Sequence, residues 1–420
     1  MNIRTYHDPL HHGITLNKSE AEESLIMKLI DSAAFQRLRR IRQLGPAFLT
    51  FHGAESSRFT HSLGAFHIAR KAFNKLFSLD QNLARKKGLI FSAALLHDLG
   101  HSPLSHTGEE IFNLSHEEWS AKIIKEDPYI RDSLEQFQEG IIDEITKILE
   151  HTNELKCIES SLISSQLDCD RLDYLLRDSY STGTNYGKLD LERILNALTI
   201  APDGDLAINP KGLLAVEHYL VVRNLMYRSV YNHRINEVCN WILEKIIKTA
   251  RELGPKNIWC DEVMAIWLWQ PQDLDIHIFL SNDDIRTGYH LIKWKEEGPN
   301  LLSDLCKRFL NRDLLKALDI KDLTNEQKLE VLAQARKLSK THKLNPDYSC
   351  GIRNHQQYGY QPYNGGLRLW DGKNLRALEE YSPLVKSLIK PTGSSWLIYP
   401  REIDQGIKEY LHSMREFSKQ

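Results

Sequence analysis

Apolar residues recur at three- and four-residue spacing over most of residues 20 to 250, and this pattern constrains the fold of the 420-residue chain most strongly. Such spacing is typical of amphipathic helices, each of which buries one face. Glycine and proline residues mark predicted helix ends, at Gly45-Pro46, Gly100, Gly183 and Gly254-Pro255. The pattern predicts helices over residues 20–44, 60–78, 84–98, 115–126, 159–180 and 213–253. Ser115 and Glu118 fit a capping box at the start of one of them.

The pattern changes at about residue 254. Residues 283–296 and 300–318 still predict helices, but residues 346–376 are rich in glycine, tyrosine, asparagine and proline, which favours loops and short strands. Strands are also predicted at residues 394–400 and in a short hairpin over residues 199–213. The predicted fold class is therefore mainly α, with a helical bundle followed by a smaller α+β C-terminal region.

Composition and charge exclude several classes of function. The chain is 41% hydrophobic and 26% charged, which excludes disorder across its whole length. The formal net charge is -2 and no long basic block is present, so neither nucleic acid nor an anionic membrane is expected as the main partner. No apolar run has the length of a bilayer span and no signal peptide is visible, which predicts a cytoplasmic location. Six scattered cysteines without a C-x-x-C pair indicate reduced thiols rather than a disulfide framework or a cysteine zinc site.

Histidines are concentrated in one part of the chain, at positions 52, 61, 67, 97, 101, 106 and 116. The nearly apolar helix predicted at residues 84–98 ends in His97-Asp98. A carboxylate at the end of an apolar helix is costly unless it is paired or bound to a cation. A polar helix end, with His101 in a solvated loop, is the structural alternative that this dipeptide alone leaves open.

Three further segments favour a functional site. Arg58 and His61 open one predicted helix, and residues 168–178 place four aspartates and two arginines among leucines. Carboxylates that are buried at this density need cations, so a salt-bridged surface helix is the weaker interpretation. Residues 223–234 form a basic, aromatic helix, for which a core helix with a charged outer stripe remains the alternative.

Two imidazoles and two carboxylates suit a divalent iron, manganese, cobalt, nickel or zinc ion. Such an ion lowers the pKa of bound water towards neutrality and supplies hydroxide as a nucleophile. The other histidines of the region are then candidate acids or phosphate contacts, and arginines can neutralise a polyphosphate. These residue types point to phosphoester hydrolysis before any family is considered.

The ordered series His61, His97-Asp98 and Asp170 resembles the H…HD…D signature of the HD superfamily of metal-dependent phosphohydrolases. Longer blocks resemble the deoxynucleoside triphosphate triphosphohydrolases, a group that includes bacterial dGTPases and a vertebrate antiviral enzyme. These blocks are FQRLRRIRQLG (35–45), SRFTHSLGAFHIA (57–69), LLHDLGHSPLSHTGE (95–109), SHEEW (115–119), DCDRLDYLLRDSYSTG (168–183) and RNLMYRSVYNHR (223–234). The resemblance implies an HD-domain helical bundle over residues 1–253 and an α+β region over residues 254–420 that packs on it at an oligomer interface.

The resemblance also implies residue roles. The implied metal ligands are His61, His97, Asp98 and Asp170. His106 is implied as the general acid, with His101 and His116 as its catalytic and phosphate-contacting companions. The implied substrate contacts are Gln43, Leu44, Arg58, Arg171, Tyr174, Asp178, Arg223, Tyr231 and Asn232. Among them the three arginines match triphosphate contacts, Gln43 and Asp178 match groups that read the sugar 3′-hydroxyl, and Tyr231 matches the aromatic ring that excludes ribonucleotides.

The implied reaction is hydrolysis of a dNTP to deoxynucleoside and tripolyphosphate, by attack of metal-activated water on the α-phosphorus, with magnesium accompanying the triphosphate. Arg171 and Asn232 stand where the vertebrate enzyme has lysine and glutamine, which bears on base preference. Part of an activating guanine-nucleotide site is matched by Asp31, Gln36 and Arg39. Because His7 replaces the asparagine of that site, an activating nucleotide and a regulatory role for residues 1–34 are hypotheses.

Two alternatives to a dNTP triphosphohydrolase remain. One is an HD phosphohydrolase that acts on another nucleotide or phosphoester, although a monophosphatase would not need three arginines. The other is a catalytically silent nucleotide sensor, against which the retention of every implied ligand and of His106 argues. The resemblance further implies a homo-oligomer, either a tetramer or a hexamer.

Overall fold

The computed structural model describes residues 2–151, 157–362 and 366–417. The chain forms two compact units, and each unit is assembled from separate stretches of sequence. The first unit comprises residues 1–227, 274–285 and 358–390, and the second comprises residues 228–273, 286–357 and 391–420. The contiguous division at residue 253 stays a prediction of the sequence.

Helices dominate the first unit, as the sequence predicted. Its helices are α1 (Ala21–Asp31), α2 (Ala33–Arg37), α3 (Arg58–Phe77), α4 (Lys87–Leu96), α5 (His106–Phe112), α6 (His116–Glu126), α7 (Pro128–Phe137), α8 (Ile141–Leu149), α9 (Ile158–Ile163), α10 (Cys169–Thr182), α11 (Leu191–Ala197), α12 (Leu213–Met226), α15 (Ile276–Leu280), α20 (Leu378–Tyr381) and α21 (Pro383–Leu388). Its strands are β1 (Ile3–Asp8), β2 (His12–Asn17), β3 (Leu198–Ile200), β4 (Leu206–Ile208), β7 (Arg368–Trp370) and β8 (Leu375–Ala377).

The core of the first unit forms where α3 packs against α4. Every residue from Gly88 to Leu96 is buried, so this helix has no solvent-facing side. Phe66 of α3 and Phe91 of α4 meet edge to face, with ring centroids 5.4 Å apart. Each such fully buried side chain stabilises the folded state by roughly 1.5–3 kcal/mol relative to an exposed one. The apolar core therefore fixes the two helices that carry the implied histidine ligands.

Two small sheets lie in the first unit. β1 and β2 form an antiparallel hairpin in which Asp8 pairs with His12. The second sheet has the strand order β3-β4-β7-β8. β3 and β4 are antiparallel, which confirms the hairpin predicted at residues 199–213, and β4 pairs with β7 in parallel.

The second unit is a mixture of helices and one sheet. Its helices are α13 (Arg234–Leu253), α14 (Glu262–Trp269), most of α16 (Asp284–Glu297), α17 (Asn300–Leu310), α18 (Asn325–Thr341), α19 (Pro346–Ser349) and α22 (Asp404–Phe417). Its strands are β5 (Lys316–Asp319), β6 (Gly351–Gln357) and β9 (Thr392–Tyr399), in the order β5-β9-β6. A buried apolar cluster that includes Val331, Leu397 and Ile407 holds α18, β9 and α22 together.

Several predicted helices are interrupted. The segment 20–44 breaks at Ser32, whose side chain accepts a hydrogen bond from the Phe35 backbone N–H and so caps α2. The segment 159–180 breaks before Asp168, which caps α10 in the same way. A π-helical turn over Tyr227–Tyr231 divides the segment 213–253. Short polar side chains that bond to nearby backbone compete with a continuous helix, which explains the first two breaks.

One predicted helix is wrong over its last part. The helix predicted at residues 300–318 ends at Leu310, and Arg312 then adopts a left-handed φ of 56°. Lys316–Asp319 instead forms β5, which pairs antiparallel with β9. Hydrogen bonds to a strand some eighty residues away along the chain decide the conformation here, and local periodicity does not contain that information.

Candidate active site

The end of α4 delivers the His97-Asp98 pair, as the sequence predicted. The apolar helix stops at Leu96, and His97 Nδ1 lies 2.9 Å from the backbone oxygen of Ala94. A proton on Nδ1 would be shared with that oxygen, which leaves Nε2 as the ligand atom. Gly100 follows because a Cβ at this position would lie 2.3 Å from the backbone nitrogen of Ser120.

His61, His97 and Asp170 converge in the first unit from α3, the end of α4 and α10. His61 Nε2 lies 3.2 Å from His97 Nε2 and 2.9 Å from Asp170 Oδ1. Asp98 lies beside them, with its carboxylate oxygens 3.5 Å from His61 Nε2 and 3.4 Å from His97 Nε2. The structure therefore brings together all four residues for which the sequence predicts a metal-binding role. We call these four residues the His–Asp cluster.

The His–Asp cluster has the donor chemistry of a divalent metal site. Ligand atoms of His61, His97 and Asp170 all lie within 4.8 Å of one another, which is close enough for one ion to contact each. The side chain of His61 is fully buried, and that of Asp98 is only 4% exposed. Two neutral imidazoles and two carboxylates in a buried position need a compensating positive charge, and a divalent ion supplies it.

Hydrogen bonds within and beside the His–Asp cluster outweigh the effect of burial on the pKa values of His61 and Asp170. Burial favours the neutral form of Asp170, but hydrogen bonds from His61 and His97 hold the pKa of its carboxyl well below the usual range. Burial also opposes charge on His61, yet hydrogen bonds to Asp170 and Asp173 raise its pKa to about 10. These hydrogen bonds favour a proton on His61, and binding of a metal ion at its Nε2 atom would compete with that proton.

Asp173 contacts the His–Asp cluster, and the sequence analysis gave it no role. Its Oδ2 atom lies 2.8 Å from His61 Nδ1 and accepts a hydrogen bond from Arg177 Nε at 2.8 Å, while its Oδ1 atom accepts one from Arg177 Nη2 at 3.0 Å. Gly64 permits this arrangement, because a Cβ on α3 at that position would lie 1.9 Å from Asp173 Oδ1. The spacing of Asp173 from Asp170 and Arg177 on one helix face could have indicated this role.

A second group of imidazoles, the His–Glu cluster, consists of His101, His106, His116 and Glu109. Glu109 connects two of the histidines, with its Oε2 atom 2.5 Å from His106 Nδ1 and its Oε1 atom 2.6 Å from His116 Nδ1. The rings of His101 and His116 stack with their centroids 4.1 Å apart. The three predicted catalytic histidines are thus adjacent, and Glu109 is the partner that the sequence analysis missed. A glutamate three residues after His106 on α5 was the available signal.

Exposure and charge differ within the His–Glu cluster. The side chain of His106 is 69% exposed, whereas His101 is fully buried. Burial and the positive charges of Arg58 and His116 hold the pKa of His101 well below its usual range. Burial also opposes charge on His116, but its hydrogen bond to Glu109 raises the pKa. The surroundings therefore disfavour a charge on His101 and favour one on His116.

The backbone turn before His106 is strained and firmly anchored. Leu104 and Ser105 both have left-handed φ values, of 67° and 54°. Ser105 Oγ accepts a hydrogen bond from Arg58 Nε at 2.9 Å and donates one to the Arg42 backbone oxygen at 2.6 Å. Asp284 accepts a hydrogen bond from the Leu104 backbone N–H at 2.8 Å. Strain of about 1–3 kcal/mol per residue in such regions persists only where the surroundings enforce it, and functional sites are where it concentrates.

The three predicted phosphate-binding arginines lie in the first unit. Arg58 donates to Asp98 Oδ2 at 2.7 Å and is buried. Arg171 pairs with Asp168, and Arg223 donates to Gln166 Oε1 at 2.7 Å. Tyr174 lies within electrostatic range of Arg171 and Arg223, and burial raises the pKa of its phenol well above the usual range. The buried Nε–H of Arg223 has no hydrogen-bond partner among the described residues.

The remaining predicted substrate contacts are divided between the units. Gln43 is buried in the first unit, and its Oε1 atom has no hydrogen-bond partner within the described ranges. Leu44 precedes the short 3-10 helix Gly45–Leu49, and Asp178 is buried on α10. Tyr231 and Asn232 belong to the second unit, where Asn232 Nδ2 donates to Gln357 Oε1 at 3.0 Å. Their role in substrate binding stays a prediction.

The residues predicted to bind an activating nucleotide already have protein partners. Asp31 forms an ion pair with Arg4 at 2.8 Å, and Arg39 Nε donates to Gln36 Oε1 at 2.8 Å. The guanidinium of Arg39 also lies over the Phe59 ring, 3.5 Å from its centroid. An effector that uses these groups would have to displace Arg4 from Asp31.

A mainly helical fold with a buried His–Asp cluster defines a metal-dependent phosphohydrolase of the HD type. The chain belongs to the HD-domain family that carries an HD-associated region. The HD domain model matches residues 58–178, and the model of the HD associated region matches residues 189–399.

Individual relatives agree with this assignment. The uncharacterized protein YwfO of Bacillus subtilis is 33% identical over 414 residues, which cover 95% of this chain and 93% of that protein. Human deoxynucleoside triphosphate triphosphohydrolase SAMHD1 is 25% identical over 279 residues, which cover 57% of this chain and 44% of that protein. The crystal structure of a phosphohydrolase from Bacteroides thetaiotaomicron is 26% identical with a TM-score of 0.82, covering 95% of this chain and 100% of that chain. Over the described ranges, no helix combines the length and apolar character that a membrane span requires.

Proposed function

We propose that this protein hydrolyses deoxynucleoside triphosphates to deoxynucleoside and tripolyphosphate. The observation that carries the proposal is the set of three arginines in the unit that holds the His–Asp cluster, of which Arg58 is buried against it, because a substrate with several phosphates would need them. Arg58 contacts Asp98 directly, and Arg171 follows Asp170 in the sequence. The human and Dictyostelium discoideum relatives that are named dNTP triphosphohydrolases, at 25% and 27% identity, support the same substrate class.

His61, His97, Asp98 and Asp170 would hold the metal ion. When bound, a divalent ion supplies Lewis acidity at the α-phosphorus and lowers the pKa of water towards neutrality. Asp173 orients this site from the protein side, because its contact with His61 Nδ1 directs Nε2 towards the other donor atoms.

His106 is proposed to protonate the leaving 5′-oxygen. In the doubly protonated form of His106, Glu109 accepts the Nδ1 proton at 2.5 Å and the Nε2 proton is the one donated to the leaving oxygen. Because the His106 side chain is 69% exposed, substrate can reach it. His116 shares Glu109 and is proposed to contact a phosphate oxygen in its protonated form.

The arginines are proposed to neutralise the triphosphate, which carries several negative charges in a largely buried site. Charge-assisted hydrogen bonds from guanidinium groups to phosphate oxygens are stronger than neutral ones and fix geometry. Within the described ranges, the buried Nε–H of Arg223 and the buried Oε1 of Gln43 have no hydrogen-bond partner in the protein. Both are therefore available to a ligand. We assign the first to phosphate and the second to the sugar 3′-hydroxyl.

Tyr231 is proposed to exclude the ribose 2′-hydroxyl, with Asn232 acting on base preference. A Tyr231→Ala variant is expected to use ribonucleotides more readily than the wild-type protein does. Ratios of kcat/KM for each dNTP and its ribonucleotide measure this effect. Unchanged discrimination would place the sugar filter on another residue.

The test of the proposed function is a product analysis by anion-exchange chromatography. The purified chain is incubated with each dNTP and rNTP, alone and in mixtures, in the presence of Mn²⁺, Mg²⁺, Co²⁺ or Fe²⁺. Deoxynucleoside together with intact tripolyphosphate is the expected result. Monophosphate and pyrophosphate would indicate a different bond, and no product despite bound metal would favour another phosphoester substrate or a nucleotide sensor. Faster turnover in mixtures would support an activating nucleotide.

A further inference from the structure

The hairpin of β1 and β2 reaches the His–Asp cluster through buried polar contacts. His11 Nε2 lies 2.6 Å from Asp173 Oδ1, and the two side chains are 6% and 0% exposed. Asp173 uses its other oxygen to contact His61 Nδ1 at 2.8 Å. A continuous path of two contacts therefore joins the tip of the hairpin to an imidazole of the proposed metal site.

A second path runs beside the first. Asp8 Oδ2 accepts a hydrogen bond from Arg177 Nη1 at 2.8 Å, and Arg177 donates to both oxygens of Asp173. The other oxygen of Asp8 accepts the backbone N–H groups of Leu10 and His11, each at 2.8 Å, and so holds the turn that carries His11. One aspartate thus fixes both the turn and the guanidinium.

Apolar packing holds the hairpin in place within the first unit. Ile14 and Leu16 on β2 are fully buried. Their burial fixes the register of the hairpin, in which Asp8 lies opposite His12. The apolar side chains set the position of the hairpin, and the polar tip is then available to constrain Asp173.

We propose that His11 and Asp8 are positioning residues for the metal ligand His61, acting through Asp173 and Arg177. This inference rests on the proposed metal-binding role of His61. Asp173 accepts hydrogen bonds from three side chains, and the contacts on its Oδ1 atom limit rotation of the carboxylate. A carboxylate that cannot rotate holds the His61 ring in one orientation, which strengthens metal binding. His61, which lies about fifty positions after His11 in the sequence, thereby depends on the hairpin for the orientation of its ring.

The test measures the affinity of the metal-stripped full-length protein for Mn²⁺ by electron paramagnetic resonance of the free ion. Loss of a partner that orients a ligand weakens metal binding by roughly 10- to 100-fold, and because His11 acts one contact further away we expect a three- to tenfold increase in Kd for His11→Ala. His11→Gln, whose amide can donate to Asp173, should recover most of that loss. His12→Asn is the matched control, because His12 is exposed and its φ of 61° is one that asparagine tolerates.

Circular dichroism and the thermal midpoint are recorded for each variant. If His11→Ala lowers the midpoint but leaves the Mn²⁺ Kd within twofold of wild type, the contact is merely structural and the inference is wrong. Equal losses in His12→Asn or in His11→Gln would overturn it as well. Should His11→Ala fail to fold, Asp8→Asn retains a turn-capping oxygen while removing the negative charge that pairs with Arg177, and a threefold or larger increase in Kd is again expected.

Failure of the proposed function gives a different result. If His61→Ala binds Mn²⁺ as tightly as wild type, His61 is not a ligand and the basis of the proposal is lost. If wild type binds Mn²⁺ but hydrolyses no dNTP, the substrate assignment fails while the dependence of Kd on His11 stands.

Discussion

The two imidazole clusters of the first unit contain the same residue types in opposite surroundings. In the His–Asp cluster, His61 is fully buried between Asp170 and Asp173. In the His–Glu cluster, His106 is 69% exposed and depends on one carboxylate, Glu109. A buried imidazole with several carboxylates around it, such as His61, favours a fixed cation, whereas an open imidazole with one acceptor, such as His106, can exchange a proton with a bound molecule. The exposure of His61 and His106, and the number of carboxylates around each, therefore distinguish the two predicted roles.

The largest effect is expected when one residue of the His–Asp cluster is replaced. His61→Ala or Asp170→Ala is expected to abolish metal retention and hydrolysis together, because one donor is lost and a charged partner is left buried. Metal content by mass spectrometry and product release measure the two effects. His218→Ala, which removes an exposed imidazole on α12, should change neither. Persistent activity in a metal-free variant would show that the clusters have been assigned the wrong roles.

Removing His106 from the His–Glu cluster should lower turnover without changing the metal content of the protein. His106→Ala removes the proposed acid but no donor of the His–Asp cluster, so kcat is expected to fall by about 10²- to 10⁴-fold at unchanged metal content. A substrate with a better leaving group should recover part of the rate, which a structural defect would not permit. Wild-type kcat in this variant would assign the acid to another residue.

A smaller effect is expected when the carboxylate of the open cluster is neutralised. Hydrogen bonds from His106 and His116 outweigh burial and hold the pKa of Glu109 well below its usual range, and Glu109 in turn raises the pKa of His116 against burial. Protonated His116 is present below its raised pKa and is lost as pH rises through it. Glu109→Gln should therefore reduce kcat by roughly 10- to 100-fold and move the alkaline limb of the pH profile to lower pH.

The control for this pH experiment is Glu110→Gln, which changes an adjacent exposed carboxylate. Its profile should overlay that of the wild-type protein. A shift of the Glu109→Gln limb to higher pH, or no shift, would contradict the assigned direction of the interaction between Glu109 and His116.

The smallest expected effect concerns a histidine outside both clusters. Burial and the nearby charges of His11 and Arg70 lower the pKa of His67 to about 4. Because the unfolded chain binds the proton at about pH 6.5, the stabilising effect of neutral His67 is complete above that pH and is lost as pH falls towards 4. After allowance for its partial exposure, the loss is roughly 1 kcal/mol.

Thermal midpoints at pH 7.5 and pH 5.0 measure this loss. His67→Gln, which keeps an acceptor for Arg70, should narrow the difference between the two midpoints, whereas His218→Gln should not. If His67→Gln leaves the difference between the two midpoints unchanged, the loss of stability at acid pH arises from the His–Asp and His–Glu clusters instead.

Much of the fold could be predicted from local pattern. Ser57 accepts from the Thr60 N–H at the start of α3, and the apolar run of α4 ends one residue before His97, so cap and periodicity define both helices. The strand Lys316–Asp319 could not be predicted, because its partner β9 lies far along the chain. Nor could the interleaving of the two units, since contacts between distant stretches leave no local signal.

The same distinction applies to the site. The order of His61, His97-Asp98 and Asp170 predicted which residues meet, and the structure confirms that they lie together. Glu109 was overlooked because a carboxylate near a histidine in sequence is common, and Asp173 because its histidine partner His61 lies 112 residues away along the chain. The contact between His11 and Asp173 spans 162 residues, and no spacing rule reaches that far.

That separation also sets an order of events during synthesis. His11 is added to the chain 162 residues before Asp173, so the hairpin tip must wait for its partner while the intervening helices are made. At about 5–20 residues per second the delay is roughly 8–30 s, which is long compared with the formation of a hairpin or a helix. The proposed metal site is therefore completed late on the ribosome, after α10 has emerged, and a nascent chain interrupted before that point would have His61, His97 and Asp98 but no Asp170 with which to close it.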